Sequence, residues 1–484
     1  LGTSTGKEFK EYFANKKLVY FEHEGNKSDD VIDMIFNKKR TEERKEWLSN
    51  YDSHNYLDTN QPNVSYTDFI NKELIHFSKY DCERSIPNIM DGLKISQRKI
   101  LYSTFKKNLV KEIKVAQLSG YVSEQSGYHH GEASLNAAIV GMAQDYVGSN
   151  NINLLTPNGQ FGTRLQGGKD SASERYIFTQ LNKVTRYVFR KEDDPVLEYL
   201  DDDGQTVEPK FYVPIVPMIL VNGGKGIGTG FSTDILSYHV DHLIKYLKNK
   251  LQVSEMSEKI DFFPYYRDFH GTYERVDEKK FMTKGRYTKL SDKKIKITEL
   301  PVGYWTEDFK QHIESLMVVN ESTEKKIQKL TKVDSSSNVD ELKGKKVSKK
   351  VTPIIKDYSD LSTDKNVEMD ITFHDSINEG PETSNGGISN KVEKTLKLYS
   401  TFSTNNMHLF DHEEKLLKYN TEEEIIEKYY PIRLNYYAKR KEYIIKTLEK
   451  ELLLLTNKAK YIVEILDGTI ELRNKKKIDI IQMM

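Results

Sequence analysis

A single cysteine, Cys82, among 484 residues excludes an internal disulfide and any cysteine-rich zinc site, and fits a reducing intracellular compartment. No run approaches the ~18 apolar residues that span a bilayer. The stretch Leu1-Gly2-Thr3-Ser4-Thr5-Gly6-Lys7 has no apolar signal region, so membrane and secretory readings fall away. Net charge is missing as well: 73 basic residues balance 73 acidic ones, and any electrostatic argument must come from local segregation. What is present is apolar material, 37% of residues, in a chain long enough for roughly two to four domains with real cores.

Periodicity predicts a short helix over residues 7–13, then charged stretches to residue 65 that make no complete domain. A stronger helical pattern covers 86–105, with Ser85 as N-cap and Pro87 in the first turn. Further helices are expected over 115–125 and 132–146; the second of the three is short and basic at its start, resembling a helix-turn-helix unit. Gly- and Asn-rich turns follow at 148–151 and 159–170. Pro214 and Pro217 make 211–221 irregular or an edge strand, leading into the glycine-rich 222–231. Residues 260–405 alternate strand-like runs (294–297, 367–373, 396–402) with polar loops and read as mixed α+β. The Ser-, Lys-, Asn- and Gly-rich 320–351 and 375–392 read as insertions. From Glu422 a helix of more than forty residues carries apolar positions at threes and fours. Its 429–466 portion would reach roughly 57 Å, suited to an arm, with packing along its own domain as the alternative.

Positive charge is concentrated between Arg84 and Arg190, where fourteen Lys or Arg face seven Asp or Glu, a local excess of seven. Beside a helix-turn-helix and glycine loops able to approach a phosphate backbone, that excess favours DNA over a merely solvated basic face. Four constellations invite chemistry. Asp201-Asp202-Asp203, preceded by Glu192, Asp193, Asp194 and Glu198, could suit magnesium, but consecutive side chains rarely converge on one ion and a solvated acidic turn is the better reading. His129-His130-Gly131-Glu132 lacks a third ligand at metal spacing, which leaves phosphate donation or a structural role. The stretch from Asn222 to Phe231 fits neither the Walker nor the dinucleotide register; its one bulky side chain, Ile227, is a core anchor or a wedge between base pairs. Tyr176 beside Arg175 has a route to phosphoryl chemistry, since a phenol titrating near ~10 needs a cationic neighbour or a base to become a nucleophile. With thirty tyrosines in the chain, a packed aromatic is the competing reading.

At these residues the sequence resembles the DNA breakage-reunion core of the eukaryotic type IIA DNA topoisomerases. The resemblance is carried in order by Arg44-Lys45-Glu46-Trp47-Leu48, Asp91-Gly92-Leu93-Lys94 through Gln97-Arg98-Lys99, Tyr128-His129-His130-Gly131-Glu132, 159–170, Arg175-Tyr176-Ile177, 217–230 and Ile297-Thr298-Glu299-Leu300-Pro301. It implies an α+β multidomain chain: the tail of a TOPRIM domain and linker at 1–65, a winged-helix (helix-turn-helix) cleavage domain at 66–204, a mixed α/β tower at 205–415, and the start of a long coiled-coil arm at 416–484. Tyr176 would attack a phosphodiester to give a 5′-phosphotyrosyl enzyme, with Arg175 stabilising the developing charge. Lys94, Arg98, Lys99, His129 and His130 would hold phosphates, Asn222 would lie close to DNA, 397–406 (Lys397, Asn406) would form a further DNA-contacting strand, and Ile227 would bend the duplex. The resemblance further implies a nuclear homodimer acting on double-stranded DNA. The Mg²⁺ ligands and the ATPase domain are expected upstream of Leu1. The alternatives are a non-covalent bending module and a gyrase-like A subunit. Two departures stand out: Glu174 where Pro or Ala is usual, and Lys225 where Glu is familiar.

Overall fold

A computed structural model of the chain describes residues 4–16, 18–58, 60–251, 260–318, 353–377, 391–470, 477–478 and 481. The expected insertion at 320–351 lies outside the described residues, as does most of that at 375–392. Among the described residues no helix is long and apolar enough to cross a membrane.

The largest core is built on the helices Ile95–Lys107, Val115–Ser126 and Glu132–Ala143. In the second of these, Val115, Leu118, Ser119, Val122 and Ser126 are buried, the three- and four-residue spacing of one helical face. It stops at Gly127, whose φ of +58° suits a glycine in the left-handed cap position. The third helix ends at Ala143, three residues before the expected Tyr146, because Gln144 turns extended and its amide donates to the Phe161 carbonyl at 2.9 Å.

The helix expected over 86–105 is corrected in its first half. Ser85 closes the preceding helix, Ile75–Ser85, and Ile86 is extended, as a residue before proline prefers. Asn88 to Leu93 then fold as a turn around Gly92, at φ +68°, whose missing Cβ would lie 2.5 Å from the Ile219 backbone nitrogen. The apolar residues Ile86, Ile89, Met90 and Leu93 are buried all the same, so the pattern reported burial while proline and glycine decided the backbone.

A second core forms where the antiparallel sheet Arg286–Ser291, Lys294–Glu299, Met369–Phe373, Ile355–Asp360 closes over the helix Thr306–Met317. Ile295 and Ile297 point inward, while Lys294 and Lys296 point outward to Asp370 at 2.8 Å and Glu368 at 2.6 Å, the period of two expected of a half-buried strand. A three-stranded sheet, Tyr399–Ser403, Lys280–Lys284, Thr272–Asp277, lies beside it in sequence. Residues 211–217 are irregular, the first of the two expected readings, and run into a short helix, Met218–Asn222.

The glycines of 159–170 answer to protein packing. Gly162 lies against Gly168 and Gly167 under the Trp305 ring, each too close for a Cβ. Arg164 forms a buried ion pair with Glu299, and Gln166 donates to Glu307 at 2.9 Å, so the loop fastens the first core to the second.

The helix Glu422–Leu466 runs for 45 residues behind a Thr421 side-chain cap. Ile425, Ile426, Tyr429, Arg433 and Tyr436 are buried against the body, whereas Leu448, Leu452, Leu455, Ile462 and Leu466 are exposed.

Candidate nucleic-acid interface and nucleophile

Tyr176 sits in a turn whose own N–H donates to the Ser173 carbonyl at 2.9 Å. The turn is pinned on both sides of the tyrosine. The Glu174 carbonyl accepts from Ala116 N and the Ile177 carbonyl from Val115 N, which satisfies two orphan donors of the Val115–Ser126 helix. Ile177 is 1% exposed, yet Tyr176 is 77% exposed with Arg175 exposed beside it. A buried anchor next to an exposed phenol and guanidinium holds both groups toward solvent on a fixed backbone. A groove of about 590 Å³ flanks them, bordered by Arg175, Glu174, Lys169, Gln144 and the small residues of the Glu132–Ala143 helix. Glu174 is half-buried, with Ser173 Oγ donating to its carboxylate at 3.3 Å.

The glycine-rich stretch is a β-hairpin, Gly224–Gly228 with Phe231–Ile235, where its composition suggests a loop. Its alternation explains its composition. Gly226 and Gly228 face the Ile75–Ser85 helix, where a Cβ would come within 1.9 Å of the Ser85 carbonyl oxygen and 3.0 Å of Cys82 Cα. Lys225 and Ile227 therefore face away, and Ile227 is 84% exposed. The wedge reading of Ile227 needs this exposure, and a core anchor would not have it. Asp81 clamps the turn by accepting from Thr229 N at 2.8 Å and Thr229 Oγ1 at 2.9 Å. Cys82 lies underneath, its thiol pushed up to about 12 by burial and donating to the Thr229 carbonyl. Sequence reasoning missed Asp81; the strict glycine alternation was the available signal that a helix lies against this strand. Lys225 pairs across the hairpin with Asp234 at 3.2 Å.

The expected phosphate ligands divide into two sets. Lys99, His129 and His130 line one cavity of about 270 Å³ together with Arg84. His129 is exposed and 3.5 Å from Asp202, and Lys99 pairs with Glu208 at 2.9 Å. Lys94 borders a second cavity of about 170 Å³ with Asn222 and Lys225. Burial pushes the Lys94 ammonium below its ordinary range, so an incoming anion would relieve the cost of its desolvation.

Three of the expected DNA-contacting residues hold partners within the protein. Arg98 is buried, its Nε 2.7 Å from Asp91 and its Nη2 donating to the Leu93 carbonyl, so most of its guanidinium is committed to the protein. Asn222 donates to the Ile152 carbonyl and accepts from Ile152 N, bracing the 148–155 loop. Asn406 donates to Ser232 Oγ at 2.7 Å and its carbonyl accepts from Asp234 N, which ties down the hairpin. Lys397 is exposed, at φ +54°, just before the Tyr399–Ser403 strand.

Most of the acidic run is taken up by neighbouring basic side chains. Glu192 pairs with Arg190, Asp193 with Arg433 and Arg440, Asp194 with Arg186, Glu198 with Lys210 and Asp202 with His129. Among the described residues no three His, Cys, Asp or Glu side chains converge as a metal site. Paired one by one and pointing apart, these carboxylates do not fit magnesium.

Over residues 84–342 and 331–484 the chain matches the family of the A subunit of DNA gyrase/topoisomerase IV, and over residues 1–82 the C-terminal associated domain of TOPRIM. It is 45% identical over 488 residues to DNA topoisomerase 2 of Arabidopsis thaliana, covering 100% of this chain and 30% of that protein. Against DNA topoisomerase 2 of Plasmodium falciparum it is 43% identical over 480 residues, 99% of this chain and 32% of the relative. The crystal structure of the Plasmodium falciparum topoisomerase II DNA-binding, cleavage and re-ligation domain superposes with a TM-score of 0.80 at 42% identity, covering 100% of this chain and 61% of that one. The chain thus spans about a third of the length of the curated relatives it matches.

Proposed function

Because this chain belongs to the family of DNA gyrase/topoisomerase IV A subunits, we propose that it is the cleavage-and-religation core of a eukaryotic type IIA topoisomerase with Tyr176 as nucleophile. The observation that carries the reading is the exposed Tyr176–Arg175 pair on a backbone pinned by Ile177. The phenolic oxygen attacks a backbone phosphorus, the tyrosyl ester forms as the bond to the 3′-oxygen breaks, and the phenol's proton ends on the 3′-hydroxyl. Arg175 balances the extra negative charge of the transition state. Attack of the 3′-hydroxyl on the phosphotyrosine reverses every bond change, and because the ester conserves the cleaved linkage, resealing needs no further energy source.

In this reading the helices around 95–143 form the winged-helix unit, residues 205–415 the tower, and the exposed length of Glu422–Leu466 the coiled-coil arm. Lys94, Lys99, His129, His130 and Lys397 contact phosphates. Arg98, Asn222 and Asn406 hold the scaffold that presents them. Ile227 enters the base stack and bends the duplex. Two copies cut opposite strands so that a second duplex passes, in a nuclear enzyme that uses ATP and Mg²⁺ when intact.

The test is a denaturing gel of the whole protein incubated with DNA and Mg²⁺. A covalent protein–DNA adduct is expected, lost in Tyr176→Phe while duplex binding persists. Binding without an adduct in the natural protein would leave only the bending module, and introduction of negative supercoils would mark a gyrase-like enzyme.

A further inference from the structure

Tyr80 lies on the Ile75–Ser85 helix, 45% exposed at the rim of the cavity that holds Lys99, His129 and His130. Its hydroxyl is 2.5 Å from His130 Nε2, and the two rings are 5.9 Å apart. On the other side the Tyr128 ring meets the imidazole edge to face at 5.3 Å. An imidazole held between two phenols and bonded through Nε2 has one ring nitrogen left for a ligand.

We propose that Tyr80 is a positioning residue of this basic cavity: its hydroxyl donates to His130 Nε2, fixing the Nδ1–H tautomer and making that N–H the donor that meets a DNA backbone phosphate. The proposal rests on the DNA-binding reading above and adds to it a residue and a protonation state.

Burial and the surrounding cations both favour the neutral imidazole. Arg84 faces His130 from the helix that carries Tyr80, Lys99 from Ile95–Lys107, and His129 from its own loop. The carboxylates at the cavity, Glu208 and Asp202, are paired with Lys99 and His129 instead. Burial first, then Arg84, His129 and Lys99, lower the pKa of His130. A neutral imidazole has a single N–H, and the hydrogen bond at one nitrogen determines that the other carries it. Tyr80 can make that bond because burial raises its own pKa and the phenol keeps its proton. A donor to the neutral ring also disfavours imidazolium, so the tautomer and the low pKa support each other.

Tyr80→Phe removes the hydroxyl and keeps the ring. In the whole protein, binding of a short fluorescent duplex is expected to weaken about fivefold near pH ~8, the worth of one hydrogen bond. The deficit should vanish toward pH ~5, where imidazolium donates from both nitrogens. In a His130→Ala background the change at Tyr80 should have no effect. Long-range ¹⁵N–¹H correlation on histidine-labelled protein without DNA should show His130 as Nδ1–H in the natural chain and as a tautomer mixture in Tyr80→Phe. The same loss at both pH values, the same loss without His130, or an unchanged tautomer overturns the proposal. If the natural protein binds no duplex, the DNA reading fails instead, and the DNA-free spectrum still judges Tyr80.

Discussion

Arg98 and Lys94 lie one helical turn apart with the same charge, and the protein uses them oppositely. Arg98 is turned inward onto Asp91, whose carboxylate also accepts from Leu93 N and Tyr212 N, each at 3.0 Å. Lys94 is desolvated beside Asn222 and Lys225. Removing one member of a buried pair leaves an uncompensated charge, at a cost of about 3–5 kcal/mol. Arg98→Ala should therefore destabilise the fold by that amount in chemical denaturation, while Lys94→Ala should leave folding nearly unchanged and weaken duplex affinity. Equal stability of the two variants would refute the assignment. Sequence alone could not separate them, because Asp91 reaches Arg98 only after the chain turns at Gly92. Tyr176 poses the same problem among thirty tyrosines: Tyr187 is also exposed beside a buried Val188, but its neighbour Arg186 is half-buried and paired with Asp194, whereas Arg175 is exposed beside Tyr176.

At the scale of elements, the hairpin that carries Ile227 shows what glycine does here. Its bare face lets the strand lie on the Ile75–Ser85 helix, and Lys225 and the one large apolar side chain, Ile227, are forced to the other side. Ile227→Ala removes an exposed group, so thermal stability should stay within about 0.5 kcal/mol of the natural protein. Duplex bending, read as end-to-end energy transfer on labelled DNA, should fall to that of weakly bent DNA. Unchanged transfer would mean that Ile227 is no wedge. The helical reading of 86–105 erred for a related reason: burial at threes and fours resembles a helix, but a pre-proline residue and a left-handed glycine made the first half a turn.

Across the whole molecule, a buried charge cluster reinforces the apolar contacts that join the long helix to the body. Asp193, on the short 3-10 helix Lys191–Val196, is 2.9 Å from Arg433 and 3.2 Å from Arg440. Among the described residues Arg433 Nε and Nη1 have no hydrogen-bond partner; its Nη2 donates to Asp193 and its guanidinium lies 3.9 Å from the Tyr437 ring centre, so Asp193 is the carboxylate that balances its charge. Asp193→Asn should release the packed base of the helix, seen as faster amide exchange over 429–440 with little change in the 286–299 strands. Uniform protection would show that apolar packing of Ile425 and Tyr429 suffices without the pair. Heptad-like spacing announced this helix from sequence because helical periodicity is local, and the same holds for the helices at 115–126 and 132–143. Local charge excess marked the basic segment, while Tyr176, Arg175 and Ile227 were singled out by the resemblance to the type IIA topoisomerases and not by composition or spacing. Which cations remain for a ligand, that Tyr80 meets His130 from fifty residues away, and that the glycines of 159–170 serve packing were decided only by the tertiary structure. The reason is physical: a side chain's availability depends on partners that come near only after folding, and no spacing along the chain encodes who has already claimed it.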